Sequence, residues 1–291
     1  MQRVVRLVVC VVILLTGCGT SPEPILTEAV PDPTAVSPGE LLERYQQATT
    51  AYEAGEVDRF CELTAATPSM IDFLAEEHQG RSELLGFDID SGELVVRVAA
   101  PAEGDQHELN DLVVDAGGAV LVGDAPVGAI YRLSPGAETF ETIVAPGSMF
   151  SPQGIVILPD DGQTLIADYS RGLCLMRSDG SVQILKSPPD AWLGGIDGLS
   201  LAGRRELIAV QNGITPNRVV RIRLTEKVDG VEGVDVLDLA HPEHDQPTLG
   251  EVVGDDFLYV ANSLWGAWDR KGNLVEGRKL SPPVILRIEL D

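Results

Sequence analysis

From residue 84 to residue 290, apolar residues occur in short runs that alternate with polar and turn-forming residues, the pattern of β-strands. Three runs open on similar triplets at intervals of 43 and 44 residues, and a looser copy follows 52 residues later. These triplets are Asn110–Leu112, Gln153–Ile155, Asp197–Leu199 and Leu249–Glu251. Because each interval holds about four short strands, the repeat predicts an all-β fold of the β-propeller type.

The repeat predicts 17 strands: a hairpin at 84–98, three units of four strands, and a final unit of three within 249–290. This count gives about four blades and one spare strand. Four polar residues end the second run of each unit, at intervals of 44, 44 and 50 residues: Asp124, Asp168, Asn212 and Asn262. Since Asn and Asp at such positions bind turn backbone, we expect this column to be structural.

The N-terminus has the layout of a bacterial lipoprotein signal. Arg3 and Arg6 precede an apolar run, and that run ends in Leu15-Thr16-Gly17-Cys18, which resembles a lipobox. The run is too short to cross a bilayer as a permanent helix. The resemblance implies that residues 1–17 are a cleaved signal peptide and that Cys18 carries the lipid. We therefore expect a membrane-anchored lipoprotein of the cell envelope that faces the periplasm or the exterior.

Two further segments separate this signal from the strands. Residues 18–36 are rich in Pro, Ser, Thr and acidic residues and predict an extended tether. Residues 37–80 begin with a capping box at Ser37–Glu40 and continue with helical spacing of apolar residues. This short helical segment resembles half of a tetratricopeptide repeat, and a plain helical cap explains it equally well. Residues 81–291 form the predicted propeller.

Charge and cysteine content limit the partners and the cross-links. The formal net charge of −24 excludes nucleic acid and an anionic lipid surface as partners, since both would repel the chain, so the membrane is contacted through the lipid anchor alone. With the signal removed and Cys18 acylated, Cys61 and Cys174 remain. They can pair in an oxidising compartment or stay as two buried thiols, and the sequence leaves both alternatives open.

The stretch from Asp88 to the C-terminus resembles the gluconolactonase, or senescence-marker-protein (regucalcin), family of six-bladed propellers. The resemblance rests on five segments: Leu109–Leu112, Ser151–Gly154, Ala167–Tyr169, Gly195–Leu199 and Ala209–Gly213. It implies a lactone hydrolase with a divalent cation, such as calcium or zinc, in the central channel. In that family one Glu, two Asn and one Asp hold the cation.

Residue by residue, the resemblance implies that Asn110 is the first Asn ligand and that Asp197 is both the Asp ligand and the general base. Gln153 stands where the family has its second Asn, which is a departure, because its amide lies on a longer side chain. The family's Glu belongs to a Pro-Glu-Gly unit that residues 81–291 lack. The helical pattern also runs directly into half a blade near Gly80, as an internal deletion would leave it.

Two functions and two arrangements therefore stay open. One function is a metal-dependent hydrolase of small sugar-type lactones, and the other is a non-catalytic propeller that binds a small ligand or a protein through a degenerate metal site. The strands can close as a four-bladed ring or form an open arc. With about four blades in place of six, the sequence supplies at most three of the four ligands.

Other candidate residues are weaker. His107, three residues before Asn110, is expected to be an exposed loop residue rather than a base at the channel mouth. The pair His241 and His244 lacks a third partner for zinc. The three tryptophans can line a pocket at the rim or pack in the core: Trp192, Trp265 and Trp268.

Overall fold

The computed structural model describes residues 82–87, 94–101, 107–160, 162–267, 274–279, 281–282 and 284–290. One compact unit comprises residues 72–89 with 93–291. Every described residue belongs to this unit. The predicted signal, tether and helical segment lie outside the described residues, as do Cys61 and Trp268.

The described chain forms a hairpin followed by four antiparallel sheets, each built from strands consecutive in sequence. The hairpin consists of β1 (Glu83–Phe87) and β2 (Leu94–Ala99). Blade 1 consists of β3 (Leu109–Val114), β4 (Val120–Asp124), β5 (Ala129–Leu133) and β6 (Glu141–Val144). Blade 2 consists of β7 (Pro152–Ile157), β8 (Thr164–Asp168), β9 (Gly172–Met176) and β10 (Val182–Ile184).

Blade 3 consists of β11 (Ile196–Leu201), β12 (Glu206–Gln211), β13 (Arg218–Leu224) and β14 (Val231–Leu239). Blade 4 has three strands, β15 (Gly250–Val253), β16 (Asp256–Val260) and β17 (Ile285–Glu289). The predicted order of two, four, four, four and three strands is therefore confirmed, and the fold is all-β with a four-blade propeller arrangement. Trp265–Ala267 form a short 3-10 turn.

The most buried strands are the second and third of blades 1 and 2 and the second of blade 3, because they lie inside the sheet and are covered on both faces. All five residues of β8 are buried, and so are most residues of β5, β9 and β12. These strands consist largely of Val, Ile, Leu and Ala, as expected for strands covered on both faces. The outer strands β6, β10 and β14 are largely exposed or half-buried.

The core lies between successive sheets. The largest cluster joins blades 2 and 3 and includes Leu165, Leu173, Leu207 and Ile222. Smaller clusters join the hairpin to blade 1, blade 1 to blade 2, and blade 3 to blade 4. Within the described chain, each sheet therefore packs on the sheet that follows it in sequence, mainly through Val, Ile and Leu.

Inner strands of adjacent blades approach closely where the repeat carries glycine. A Cβ on Gly154 of β7 would lie 2.4 Å from the Leu199 Cβ of β11, and one on Gly198 would lie 3.0 Å from the Leu249 Cα. Blade 1 has Asp111 at this position, and its carboxylate accepts the N–H of Ile155 on β7 at 3.0 Å. The same repeat position therefore connects adjacent blades in two different ways. We call the contact of Gly154 with Leu199 the glycine joint and the contact of Asp111 with Ile155 the carboxylate joint.

No helix in the described part of the chain is long and apolar enough to cross a membrane.

Candidate functional site

The three predicted ligand residues occupy equivalent positions at the same end of blades 1, 2 and 3. In each blade, the first residue of the inner strand pairs with the last residue of the second strand. The predicted ligand residue comes directly after that first residue. The pairs are Leu109 with Asp124, Pro152 with Asp168, and Ile196 with Gln211. Asn110, Gln153 and Asp197 thus share one register, as the repeat predicted.

Asn110 and Gln153 are in direct contact. The Asn110 amide nitrogen donates to the Gln153 side-chain oxygen at 2.5 Å. The Gln153 amide nitrogen in turn donates to Ser151 Oγ at 3.0 Å. Hydrogen bonds therefore fix the orientation of both amides, and the Gln153 oxygen is turned toward a protein donor.

Asp197 is held by two other side chains. Its Oδ2 accepts from Thr248 Oγ1 at 2.6 Å and from the Asn212 amide nitrogen at 2.7 Å. The Asn212 oxygen accepts from the Tyr169 hydroxyl at 2.8 Å. We call Asp197, Asn212, Tyr169 and Thr248 the Asp197 network. It joins blades 2, 3 and 4, because Tyr169 follows β8, Asn212 follows β12 and Thr248 precedes β15.

The carboxyl groups near these residues hold their protons more tightly than usual. Burial raises the pKa of Asp197, against the opposing effect of its two hydrogen bonds. Burial also raises the pKa of Glu108 and of Glu251, and the charges of Asp124 and Asp197 raise that of Glu108 further. Burial also raises the pKa of Asp111, to about 7, although two backbone N–H groups donate to its carboxylate. The site is therefore acidic, with Asp111 partly protonated near neutral pH.

The geometry does not fit a divalent cation at Asn110, Gln153 and Asp197. Calcium takes six to eight oxygen ligands, whereas here the Gln153 oxygen and Asp197 Oδ2 face protein donors. Asp197 is the single carboxylate of the set. Among the described residues, no group of three or more His, Cys, Asp and Glu side chains is arranged to hold a metal ion. The ligand roles of the three residues stay predictions.

The predicted column at the ends of the second strands is structural in blades 1 and 2. Asp124 Oδ1 accepts the N–H of Glu108 at 3.2 Å, and Asp168 Oδ2 accepts that of Phe150 at 2.7 Å. Each carboxylate thus anchors the loop that leads into the inner strand of its own blade. Asp168 also accepts the N–H groups of two residues in the turn that follows it. In the last blade, Asn262 binds the N–H of Val284 at 2.6 Å, just before β17.

In blade 3 the prediction of Asn212 for this column is wrong, because Gln211 takes the structural position. The Gln211 amide nitrogen donates to the carbonyl oxygens of Gly194 at 2.8 Å and Trp192 at 3.1 Å, in the loop that leads into β11. Asn212, one residue later, reaches the Asp197 carboxylate instead. Asn212 is therefore part of the candidate site.

The prediction of an exposed His107 is also wrong. His107 is 9% exposed, and its Nδ1 lies 2.5 Å from Asp124 Oδ2. Asp124 is itself fully buried at the end of β4, so it needs a hydrogen-bonding partner, and the imidazole Nδ1–H supplies it. This contact ties the segment that leads into β3 to its own blade.

The other residues considered in the sequence analysis have separate surroundings. His244 Nε2 lies 2.9 Å from the Tyr259 hydroxyl, which donates to Asp238 Oδ2 at 2.7 Å. Trp192 and Trp265 are 62% and 47% exposed, so neither is a core residue. Cys174 is a free, buried thiol whose pKa burial raises to about 12.

Comparison with known proteins finds neither a matching family model nor a curated protein of similar sequence. Two solved β-propeller proteins have a similar fold, each with 17% sequence identity and a TM-score of 0.46. One is a catalytically inactive variant of virginiamycin B lyase from Staphylococcus aureus with quinupristin, matched over 69% of this chain and 64% of that chain. The other is regucalcin, a calcium-binding protein from Agrobacterium tumefaciens, matched over 62% of this chain and 61% of that chain.

Each match spans less than two thirds of the other protein. The strand order of this chain identifies it as an all-β protein with a four-blade propeller arrangement.

Proposed function

We propose that this protein is a non-catalytic binding propeller that recognises a small polar ligand at the inner-strand ends of its blades. One observation carries the proposal: protein hydrogen bonds already engage the side chains expected to hold a metal. Asn110 binds Gln153, and Asp197 binds Asn212 and Thr248. A site fixed in this way is preorganised for hydrogen bonding to a ligand, and ordering it on binding costs little free energy.

The chemistry of the site favours a ligand with hydroxyl or other donor groups. Carboxyl and amide oxygens dominate the site, and Glu108, Asp111 and Asp197 all have raised pKa values because burial disfavours their charge. Exposed aromatic rings lie on the loops at the same ends of the blades. Phe150 precedes β7 and Trp192 precedes β11, and each is 62% exposed. Such rings provide flat apolar surface beside polar groups, which suits a sugar-type lactone or its acid.

The cellular location forms part of the same proposal. The lipobox-like sequence that ends at Cys18 supports a lipid anchor that presents the site at the envelope surface. Incorporation of labelled palmitate into the wild-type chain, and its loss in Cys18→Ser, is the expected result. Unlabelled wild-type protein would contradict the anchor without bearing on the ligand site.

Calorimetry and thermal shift test the ligand site. We expect one or more sugar-type lactones or aldonic acids to raise the melting temperature of the full chain, with and without chelator. Asn110→Ala and Asp197→Ala should each remove that shift. Arg204→Ala, on an exposed turn, is the matched control and should retain it. A heat of calcium, zinc or manganese binding that Asp197→Ala abolishes would contradict a metal-free site.

Hydrolysis of the lactone is the second candidate, and the raised pKa of the buried Asp197 favours it. A carboxylate whose pKa moves toward neutrality is a more effective general base for water. We would then expect slow lactone hydrolysis that survives chelation and is lost in Asp197→Asn. Binding without turnover in the wild-type chain would leave the binding function alone.

A further inference from the structure

Blade 4 differs from the others because it has three strands among the residues that the structure describes. In blades 1, 2 and 3 a fourth strand pairs with the third: β6 with β5, β10 with β9, and β14 with β13. The third strand of blade 4 is β17, and among the described strands it pairs with β16 alone. No described strand pairs with the other edge of β17, which we call the open edge.

Two hydrogen bonds show which backbone N–H and C=O groups of β17 point toward the open edge. Leu290 N–H donates to the Asp255 carbonyl at 2.7 Å, and Ala261 N–H donates to the Val284 carbonyl at 2.8 Å. In an antiparallel pair, alternate residues bond to the same neighbour. The N–H and C=O groups of Ile285, Arg287 and Glu289 therefore point away from β16, toward the open edge.

The side chains of β17 present a different character on each face. Leu286, Ile288 and Leu290 pack against the apolar cluster of blades 3 and 4. On the other face, Arg287 forms an ion pair with Asp256, with Arg287 Nε 2.8 Å from Asp256 Oδ1, and the Arg287 side chain is 63% exposed.

Glu289 lies on the same face, directly across from Asp256 on β16, so two acidic residues oppose each other. An additional positive charge beside Glu289 would relieve this repulsion.

We propose that the open edge of β17 binds the same edge of a second copy of this chain, antiparallel and with the two-fold axis at Ile288. In this register Arg287 of each copy faces Glu289 of the other, so both opposite-charge pairs form. Both residues point their backbone groups toward the open edge, which lets each pair exchange two backbone hydrogen bonds. The interface is isologous, as closed dimers require.

The apolar face supports the same register. Leu286 of one copy lies across from Leu290 of the other, and Ile288 faces itself. These side chains would extend the apolar cluster of each blade across the axis. A shift of the axis to Arg287 would keep the backbone bonds but place Arg287 against itself. The charge pattern therefore selects the axis at Ile288. Because the strand is short, the dimer should be weak and concentration-dependent.

Sedimentation velocity of the full chain carrying Cys18→Ser, which removes the lipid attachment site, tests the proposal. We expect a monomer–dimer equilibrium in the wild-type background. Arg287→Glu or Glu289→Arg alone should weaken dimerisation roughly tenfold, since each creates two like-charge pairs across the axis. The double variant Arg287→Glu with Glu289→Arg should restore it, because exchanging the two charges regenerates both attractive pairs.

Cysteine cross-linking checks the register independently. Ile288→Cys should form a disulfide between copies, since residue 288 faces itself at a narrow, non-hydrogen-bonded pair. Arg287→Cys should cross-link much less, and the chain with its natural cysteines measures the background. A monomer at every concentration, single charge variants that dimerise normally, or equal cross-linking at positions 287 and 288 would each overturn the proposal. Circular dichroism and the melting temperature confirm that every variant is folded.

Discussion

The joint between blades 2 and 3 and the joint between blades 1 and 2 use one repeat position in opposite ways. At the first joint Gly154 lets β7 approach Leu199 of β11 so closely that no side chain fits. At the second joint Asp111 occupies the corresponding position, and its carboxylate reaches Ile155 on the next blade. The first joint depends on the close fit of the two strands. The other depends on a buried acid whose protonation changes with pH.

The difference shows that the repeat keeps a constant spacing between equivalent positions, while the contact made at each position varies. A glycine joint maximises apolar contact between the sheets, and the largest core cluster indeed lies between blades 2 and 3. A carboxylate joint replaces part of that contact with hydrogen bonds and adds the cost of burying a titratable group. We therefore expect the two joints to respond differently to substitution and to pH.

The largest expected effect is on the glycine joint. Gly154→Ala places a Cβ 2.4 Å from Leu199 Cβ and 2.6 Å from the Leu199 backbone nitrogen, so the strands must separate. We expect the free energy of unfolding to fall by about 3 kcal/mol, measured by urea denaturation. Gly203→Ala is the matched control, since its nearest atom lies 3.7 Å away. Equal stability of both variants would show that the strands are not closely packed at this point.

An intermediate, pH-dependent effect is expected at the carboxylate joint. The folded state raises the pKa of Asp111 from 3.8 to about 7, so between these values the folded chain holds a proton that the unfolded chain has lost. The contribution of Asp111 to stability therefore falls as the pH rises from about 4 to about 7. Asp111→Asn should flatten this slope in urea denaturation.

At low pH, Asp111→Asn should also cost about 1–2 kcal/mol, because the amide NH2 cannot accept a backbone N–H, whereas the hydroxyl oxygen of the protonated acid can. At pH above 7 the difference from wild type should shrink. Stability curves for wild type and variant that run parallel across the pH range would show that Asp111 does not titrate as the joint requires.

The smallest expected effect is at the exposed side of the glycine joint. Arg204 in the turn after β11 pairs with Asp160 in the turn after β7 at 2.6 Å, and both side chains are largely exposed. Arg204→Ala should change the free energy of unfolding by less than about 0.5 kcal/mol. A loss comparable to that of Gly154→Ala would mean that surface charge, and not close packing, holds blades 2 and 3 together.

The sequence was sufficient for the strand count and for the equivalence of Asn110, Gln153 and Asp197, because both depend on local spacing. It failed at Asn212. The interval and the residue type predicted that Asn212 ends the second strand of blade 3, whereas the strand register places Gln211 there. Gln211 pairs with Ile196 and reaches the carbonyls of the loop leading into β11. An interval of 44 residues alone could not reveal a shift of one position.

Other features depended on contacts between residues distant in sequence, which spacing does not encode. The fourth triplet has the apolar Leu249 at its first position and offered no candidate ligand, yet Thr248 one position earlier binds Asp197. His107 is buried because Asp124, fully enclosed at the end of β4, requires a hydrogen-bond donor. Asp111 was treated as part of the repeat triplet, and its role became visible only when β3 and β7 were placed side by side.

The last residues of the second strands in blades 1, 2 and 3 affect how the loops of such a protein can vary in sequence and length. Asp124, Asp168 and Gln211 each fasten a loop to the blade that the loop enters. A loop anchored at its base within its own sheet can be lengthened, shortened or exchanged at its tip without disturbing its neighbours. The arrangement is modular, so each blade can acquire a new contact surface independently, and recognition can diversify while the scaffold persists.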